Sequence, residues 1–287
     1  FLREIRLYQW IKNSLIFLPL LASQQLELDL VINSFEAFFS FSLLASSVYI
    51  FNDLLDLKAD RVHPNKCKRP FASGELSIKY GSIGGLCLLS LGFIIGSNLG
   101  PDFIQCLLLY YTVTVSYSLY FKKKELFDIF ILSGLYTIRI LAGGAATDLQ
   151  ISFWLLAFSI FIFLSLASVK REAELIDLVE RGKIQIQGRG YKTKDLNFIS
   201  LLSICSGLLS SLVLALYINS PKVLDLYQNP KLLWIVCCLF LFWIIRICFK
   251  TSRGEMDDDP IIFALKDKIS NIIFLSSLIL VALATVT

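Results

Sequence analysis

Apolar residues arrive along this chain in runs of about 20, the length a helix needs to cross a hydrocarbon core. Nine spans are predicted, at roughly 11–23, 34–52, 80–98, 102–121, 126–147, 152–170, 196–218, 231–250 and 269–287. The first is short and is interrupted by Pro19. Polar residues gather unevenly between the spans, in the stretches 53–79, 122–125, 171–195 and 251–268. Connections such as "GSNLGPD" and "GAATDLQIS" are brief and poor in charge. The fold class expected is all-α, a polytopic membrane helical bundle with nine transmembrane helices, organised as a single domain over residues 1–287.

Composition agrees with that pattern. Of 287 residues, 56% are hydrophobic and 17% charged, and the mean hydropathy is +0.68. A soluble domain of that balance lacks the polar surface to cover itself. The 27 Lys and Arg orient the spans. Lys222 and Lys231 fall on one side and Arg139 lies within a span, while the others fall on the opposite side. Positive charge marks the cytoplasmic face, so the N-terminus and the polar loops are expected there, in a multi-pass protein of the cell membrane, and a ninth span would leave the C-terminus outside. The net charge of +4 reflects this segregation and not a nucleic-acid surface.

Several chemistries drop out. The loop "RGKIQIQGRGYKTKD" has glycines but neither a preceding strand nor a phosphate-loop pattern. "EMDDDP" at 255–260 lacks calcium-loop spacing and reads as a solvated loop. Seven cysteines form no CxxC pair, and a single histidine, His63, cannot make a zinc site. No cleavage site follows "FLREIRLYQWIKN", and the chain opens on Phe1 and not on Met, which leaves room for residues upstream.

Three features carry candidate chemistry. Asn52, Asp56 and Asp60 recur at helical spacing, and Asp53 joins Asp56 and Asp60 at i+3 and i+7, so the four share a face where the second span ends. Crowded carboxylates repel unless a cation sits among them. Either the face is a solvated helix end or it holds Mg2+, whose few hard oxygen ligands leave positions for substrate phosphates. The loop behind it, with Lys66, Lys68 and Arg69, offers the positive charge a diphosphate leaving group needs. Arg139 lies deep in a span, about 16 Å along the axis from Asp128. It must face the interior, either in an ion pair, with Asp128 a candidate, or on an anionic substrate group. Lys12, beside Trp10, either snorkels to the interface or meets a phosphate.

"NDLLDLKAD" fits the NDxxDxxxD signature, and the chain resembles the UbiA superfamily of intramembrane prenyltransferases. "QWIKN", "NDLLDLKADRVHPNKCKRPFASG", "YSLYFKKKELFD", "IRILAGG" and "KREAEL" are similar to the branch holding the polyprenyl-phosphate phosphoribosyltransferases. That resemblance implies a nine-helix UbiA-like bundle with Asn52, Asp53, Asp56 and Asp60 on Mg2+. It also implies transfer of 5-phosphoribose from 5-phosphoribosyl 1-diphosphate to a polyprenyl phosphate, and suggests arabinose precursors for an envelope polysaccharide. Asp53, Asp56 and Asp60 would be catalytic. Lys12, Asn52, Lys66, Arg69, Tyr117, Lys122, Asp128, Arg139, Lys170, Arg171 and Glu174 would meet substrate. Where prenyl-diphosphate enzymes of the superfamily carry a second Asp-rich motif, this chain reads "KREAELIDL", with Lys170, Arg171, Glu172, Glu174 and Asp177. The two cations there favour additional anionic groups.

No residue set suits base catalysis, and a lipid phosphate, already an anion, needs no base. Inversion at the anomeric carbon is expected. Prenyl transfer from a polyprenyl diphosphate to an aromatic or other polar acceptor stays open as an alternative, as does a transporter or lipid-binding protein.

Overall fold

A computed structural model describes residues 2–62, 66–182, 189–256 and 259–286; His63 and the side chain of Lys66 lie outside the described residues. No β-strand occurs among them, and the long elements are all helices. We number the long ones α1 (Leu28–Leu55), α2 (Ile78–Gly96), α3 (Pro101–Leu119), α4 (Phe127–Thr147), α5 (Phe153–Glu180), α6 (Leu196–Ile218), α7 (Leu232–Ser252) and α8 (Lys268–Val286). Seven helices among the described residues, not nine, are long and apolar enough to cross a membrane. One expected span that falls short is α3. It has 19 residues, but its second half carries Tyr110, Tyr111, Thr112, Thr114, Ser116, Tyr117 and Ser118. The other is the first, which is a 3-10 helix over Leu7–Phe17 followed by a short α-helix, Leu18–Ser23, with Pro19 in its first turn.

The chain forms two compact units: residues 1–120 with 138–151, and residues 121–137 with 152–287. Helix α4 begins in the second and ends in the first.

In the first unit, the 3-10 segment runs antiparallel to α1 and the two exchange hydrogen bonds in register. Trp10 Nε1 donates to Ser46 Oγ (2.9 Å), and Asn13 Nδ2 donates to Ser42 Oγ (2.9 Å). Three residues of 3-10 helix rise about 6 Å, the same as four residues of α-helix. Side chains spaced by three on one element therefore meet side chains spaced by four on the other. An α-helical first segment would drift out of step. Ser46 Oγ in turn donates to the Ile5 carbonyl (2.8 Å), tying down the chain that precedes the 3-10 helix. The second face of α1 packs on α2, where Ser40 Oγ donates to the Gly92 carbonyl (2.7 Å). A Cβ at Gly92 would come 3.0 Å from the Ser40 carbonyl oxygen, so the backbones meet where only hydrogen fits. Small residues and hydroxyls supply the attraction between helices that lipid tails do not.

The second unit repeats this logic on α5 and α6, where Ser165 Oγ donates to the Ser203 carbonyl (2.7 Å). Ser152 caps α5, its hydroxyl accepting from the Leu155 N–H (3.1 Å). Asp267 caps α8, accepting from the N–H of Ser270 (2.8 Å) and its hydroxyl (2.7 Å). It also accepts two bonds from Arg246, at 2.7 and 2.9 Å. Burial pushes the Asp267 carboxyl upward, but the Arg246 and Ser270 hydrogen bonds outweigh it and hold the group at about 2.

Two expectations follow. A Cβ at Gly143 would collide with the Ile16 carbonyl oxygen and stand 2.8 Å from its carbon, whereas one at Gly134 meets nothing within 4 Å. Gly143→Ala should therefore lower the melting temperature in detergent, with a cost of about 1–3 kcal/mol. Gly134→Ala should leave it unchanged or raise it, by up to about 1 kcal/mol. Second, the depressed Asp267 pKa is a stabilisation present above the ordinary carboxylate value of 3.8 and lost as pH falls towards about 2. The gap in melting temperature between wild type and Asp267→Asn should stay constant from about pH 8 to 5 and close only below about pH 4.

Candidate active site

The acidic face begins where α1 stops. Asp56 (φ −88°, ψ 3°) joins α1 to a short helix, Leu57–Arg61. The backbone bonds Asp56 N–H to Asn52 O and Asp60 N–H to Asp56 O, both 2.9 Å, carry the helical path across the break. Asp53 and Asp60, seven residues apart, consequently stay on one face, and both are buried.

The cations sit among them. Arg69 Nη1 donates to Asp53 Oδ1 (2.9 Å) and to Asp60 Oδ2 (2.6 Å), bridging the pair. Arg69 is held in place by the residues after it: Pro70 opens a short helix, Pro70–Ser73, and the buried Phe71 ring packs against Gly81 of α2. The other Asp53 oxygen pairs with Arg6 Nη2. Arg6 occupies the left-handed region (φ 53°), and its guanidinium lies 5.3 Å from the centre of the Tyr49 ring, one turn before Asp53. Burial works against the Arg6 charge, but the Asp53 carboxylate outweighs it and raises the pKa.

Glu4 completes the cluster. It is 1% exposed, its Oε1 has no hydrogen-bond partner, and its carboxyl is hydrogen-bonded to Asp53. Burial first, then the Asp53 hydrogen bond and charge, push it up to about 7.

Asn52 takes a different direction. With Val48, Phe51, Leu54, Leu55, Tyr111 and Val115 it lines a cavity of about 340 Å³, predominantly apolar. Asp56 is half-buried. Among the described residues, no three His, Cys, Asp or Glu side chains converge as a metal cage. Mg2+ in phosphate chemistry is ordinarily held by one or two carboxylates together with phosphate oxygens and water. Asp53 and Asp60, close enough to share one guanidinium nitrogen, fit that requirement.

Deeper in the same unit, Arg139 Nε donates to Asn13 Oδ1 (2.9 Å) and Nη2 to Tyr110 Oη (3.1 Å). Its guanidinium stands 4.9 Å from the Tyr110 ring centre and 5.4 Å from that of Phe41. Phe41 precedes Asp53 on α1 by twelve residues, about 18 Å of helix. Arg139 thus lies three turns below the carboxylates. Lys12 is buried beside Asn13 in sequence, and Tyr117 is half-buried near the end of α3.

The second unit holds its own charged cluster. Asp128, at the start of α4, and Arg171, on α5, are both wholly buried, with Arg171 Nε 2.5 Å from Asp128 Oδ2. Those two atoms meet as an ion pair without hydrogen-bond alignment, while Arg171 Nη2 donates to Asp128 Oδ1 (3.5 Å). Arg171 also pairs with Glu174, one turn along. Arg189 closes the group, donating to Asp128 Oδ1 (2.9 Å) and reaching Glu174 Oε2 (3.3 Å). The expectation of an Arg139–Asp128 pair thus meets a different arrangement, since Asp128 faces two arginines of other segments. Arg189 is followed by Tyr191, whose buried hydroxyl accepts the Leu126 N–H (2.8 Å). Burial, then the Asp128 charge, raises that phenol to about 12, so it stays protonated. Lys170 stands 3.8 Å from Asp259, and Lys122 is half-buried in a 3-10 turn, Phe121–Lys123.

Sequence reasoning passed over Glu4, Arg6, Asn13, Tyr110 and Arg189. Arg6 and Arg189 read in the sequence as ordinary cytoplasmic charge, because no local spacing links either to its carboxylate, 47 and 61 residues away.

Residues 14–266 match the pattern of the UbiA prenyltransferase family. The chain is 35% identical over 94% of its length to an uncharacterized protein of Sinorhizobium fredii, of which it spans 52%. It is 35% identical over 91% to nodulation protein NoeC of Azorhizobium caulinodans, spanning 85% of that protein. It is 31% identical over 96% to decaprenyl-phosphate phosphoribosyltransferase of Mycolicibacterium smegmatis, spanning 89%. The fold is similar to a UbiA homolog from Archaeoglobus fulgidus bound to GPP and Mg2+, with a TM-score of 0.68 at 13% identity over 98% of this chain and 99% of that one.

The second cluster predicts an asymmetry in stability. Arg171→Ala leaves the wholly buried Asp128 short of a partner, which should cost about 3–5 kcal/mol and lower the melting temperature markedly. Arg189→Ala removes a partly exposed cation and leaves Arg171 in place, so its cost should stay near about 1 kcal/mol. Thermal unfolding of both variants in one detergent checks this.

Proposed function

The chain belongs to the UbiA prenyltransferase family, and from that premise we propose that it transfers 5-phosphoribose from 5-phosphoribosyl 1-diphosphate to a polyprenyl phosphate. The observation that carries this reading is the bridged pair Asp53–Arg69–Asp60, two buried carboxylates and a guanidinium converging where α1 ends. Asp53 and Asp60, with Asp56 adjoining, would hold Mg2+, which when bound supplies positive charge to a departing diphosphate. Arg69 stays within reach of the same phosphates as a planar donor. A lipid phosphate attacks without deprotonation, so the remaining task of the protein is alignment and exclusion of water.

Two observations favour phosphoribose over a prenyl group. Full-length similarity runs to a protein named for phosphoribosyl transfer. The carboxylates at the position of a second acidic motif are also engaged: Glu174 by two arginines and Glu172 by the Ser203 hydroxyl (2.9 Å). Prenyl transfer to a polar acceptor is the second reading, favoured by the apolar cavity beside Asn52. The distribution of Lys and Arg supports a cytoplasmic N-terminus and site. Counting the 3-10 segment and α3 as spans gives nine, in a single functional domain. At rises of about 2.0 and 1.5 Å per residue, residues 7–23 extend roughly 31 Å if straight, enough for the hydrocarbon core.

Detergent-purified protein, Mg2+, labelled phosphoribosyl diphosphate and a short polyprenyl phosphate should move label into the organic phase. Label moving instead from a prenyl diphosphate onto a hydroxybenzoate would replace this reading with the second. Asp56→Asn should fold normally and lose about a hundredfold or more in turnover. Retained turnover would remove Asp56 from the site.

A further inference from the structure

We propose that Arg6 is a diphosphate-binding residue whose ion pair with Asp53 competes with a divalent cation for the same carboxylate oxygen, so that metal entry and release of Arg6 toward the phosphates are one exchange. This rests on the reading that Asp53 and Asp60 hold the metal.

Arg6 is built into the site and does not drape over it. Its backbone takes a left-handed turn, φ 53°, a conformation that disfavours any residue but glycine. That turn separates the first helical turn, Leu2–Ile5, from the 3-10 helix, and Ser46 fixes it through the Ile5 carbonyl. The side chain is 18% exposed and lies against Tyr49, which leaves the guanidinium a supporting surface whether or not it touches Asp53. Arg69 already joins Asp53 to Asp60, so Arg6 takes the remaining oxygen of Asp53, the ligand atom a cation would need. Two carboxylates, Asp53 and Asp60, face two guanidinium groups, with the Glu4 carboxyl against Asp53. The buried Oε1 of Glu4, without a partner, shows acceptor capacity that the arginines do not use. A divalent cation brings more charge to this cluster than it displaces. The displaced guanidinium then has a diphosphate as its natural partner, and it matches phosphate oxygens two at a time.

Competition and recruitment have opposite signs in binding, and a merely structural Arg6 would not produce both. Titration calorimetry of the whole protein with Mg2+ alone, then with inorganic pyrophosphate at saturating Mg2+, separates them. In Arg6→Gln, Mg2+ should bind about tenfold more tightly, because the competent state is no longer masked by the ion pair. Pyrophosphate should bind about tenfold more weakly, for loss of one charge-assisted contact. Arg6→Lys, which keeps charge but not the fork, should fall between. Unchanged or weaker Mg2+ binding in Arg6→Gln, or unchanged pyrophosphate binding, overturns the exchange. Asp53→Asn is the control: if it binds Mg2+ like wild type, the metal reading itself fails, whereas Mg2+ binding that needs Asp53 but ignores Arg6 sinks this inference alone.

Discussion

A carboxylate withdrawn from bulk water must be met by a cation or a proton, and that requirement decides which segments of this chain can lie together. Asp53 is 4% exposed and Asp128 is wholly buried. Each is met by two arginines: Arg6 and Arg69 in one unit, Arg171 and Arg189 in the other. In both clusters one arginine is close in sequence to the acidic helix or on a packed helix. The other comes from an irregular or short segment whose course would otherwise be poorly specified. Charge pairing thus does for the polar ends of the helices what apolar packing cannot, because lipid offers no hydrophobic gain for docking a loop.

Within the spans the same need is met by hydroxyls and backbone. Ser40, Ser42, Ser46, Ser165 and Ser203 are buried and each bonds across to another element. Arg139 is held by an amide, a phenol and two aromatic faces. These contacts fix the register of α1 against its neighbours, and therefore fix where Asp53 emerges. Arg139 lies about three helical turns from the carboxylates along the axis of α1. Its partners tie the first segment, α3 and α4 to one another.

Much of this was legible in the sequence. Runs of apolar residues marked α1, α2 and α4 to α8, and the spacing of Asp53 and Asp60 placed both acids on one face despite the break at Asp56. The requirement for a cation among them was also readable, and Arg69 was named. Arg6 was not, because it lies 47 residues from Asp53 and helical periodicity carries no information at that range. The same holds for Arg189, 61 residues from Asp128. The hydropathy of α3 is diluted by its tyrosines, threonines and serines, of which Tyr110, Thr114 and Ser118 are buried against the rest of the unit. Nor does periodicity over a dozen residues separate a 3-10 helix from an α-helix when a proline lies at its end.

The 3-10 form of Leu7–Phe17 makes the segment a keyed fit to α1. Eleven residues rewound as α-helix would shorten by about 5.5 Å, nearly one full turn of the partner helix. A slide of one turn along α1 in one direction would set Phe38 against the Asn13 amide, and in the other would set Ile50 against the Trp10 indole. Either step strands a donor among apolar side chains, so the segment has a single seat on its partner.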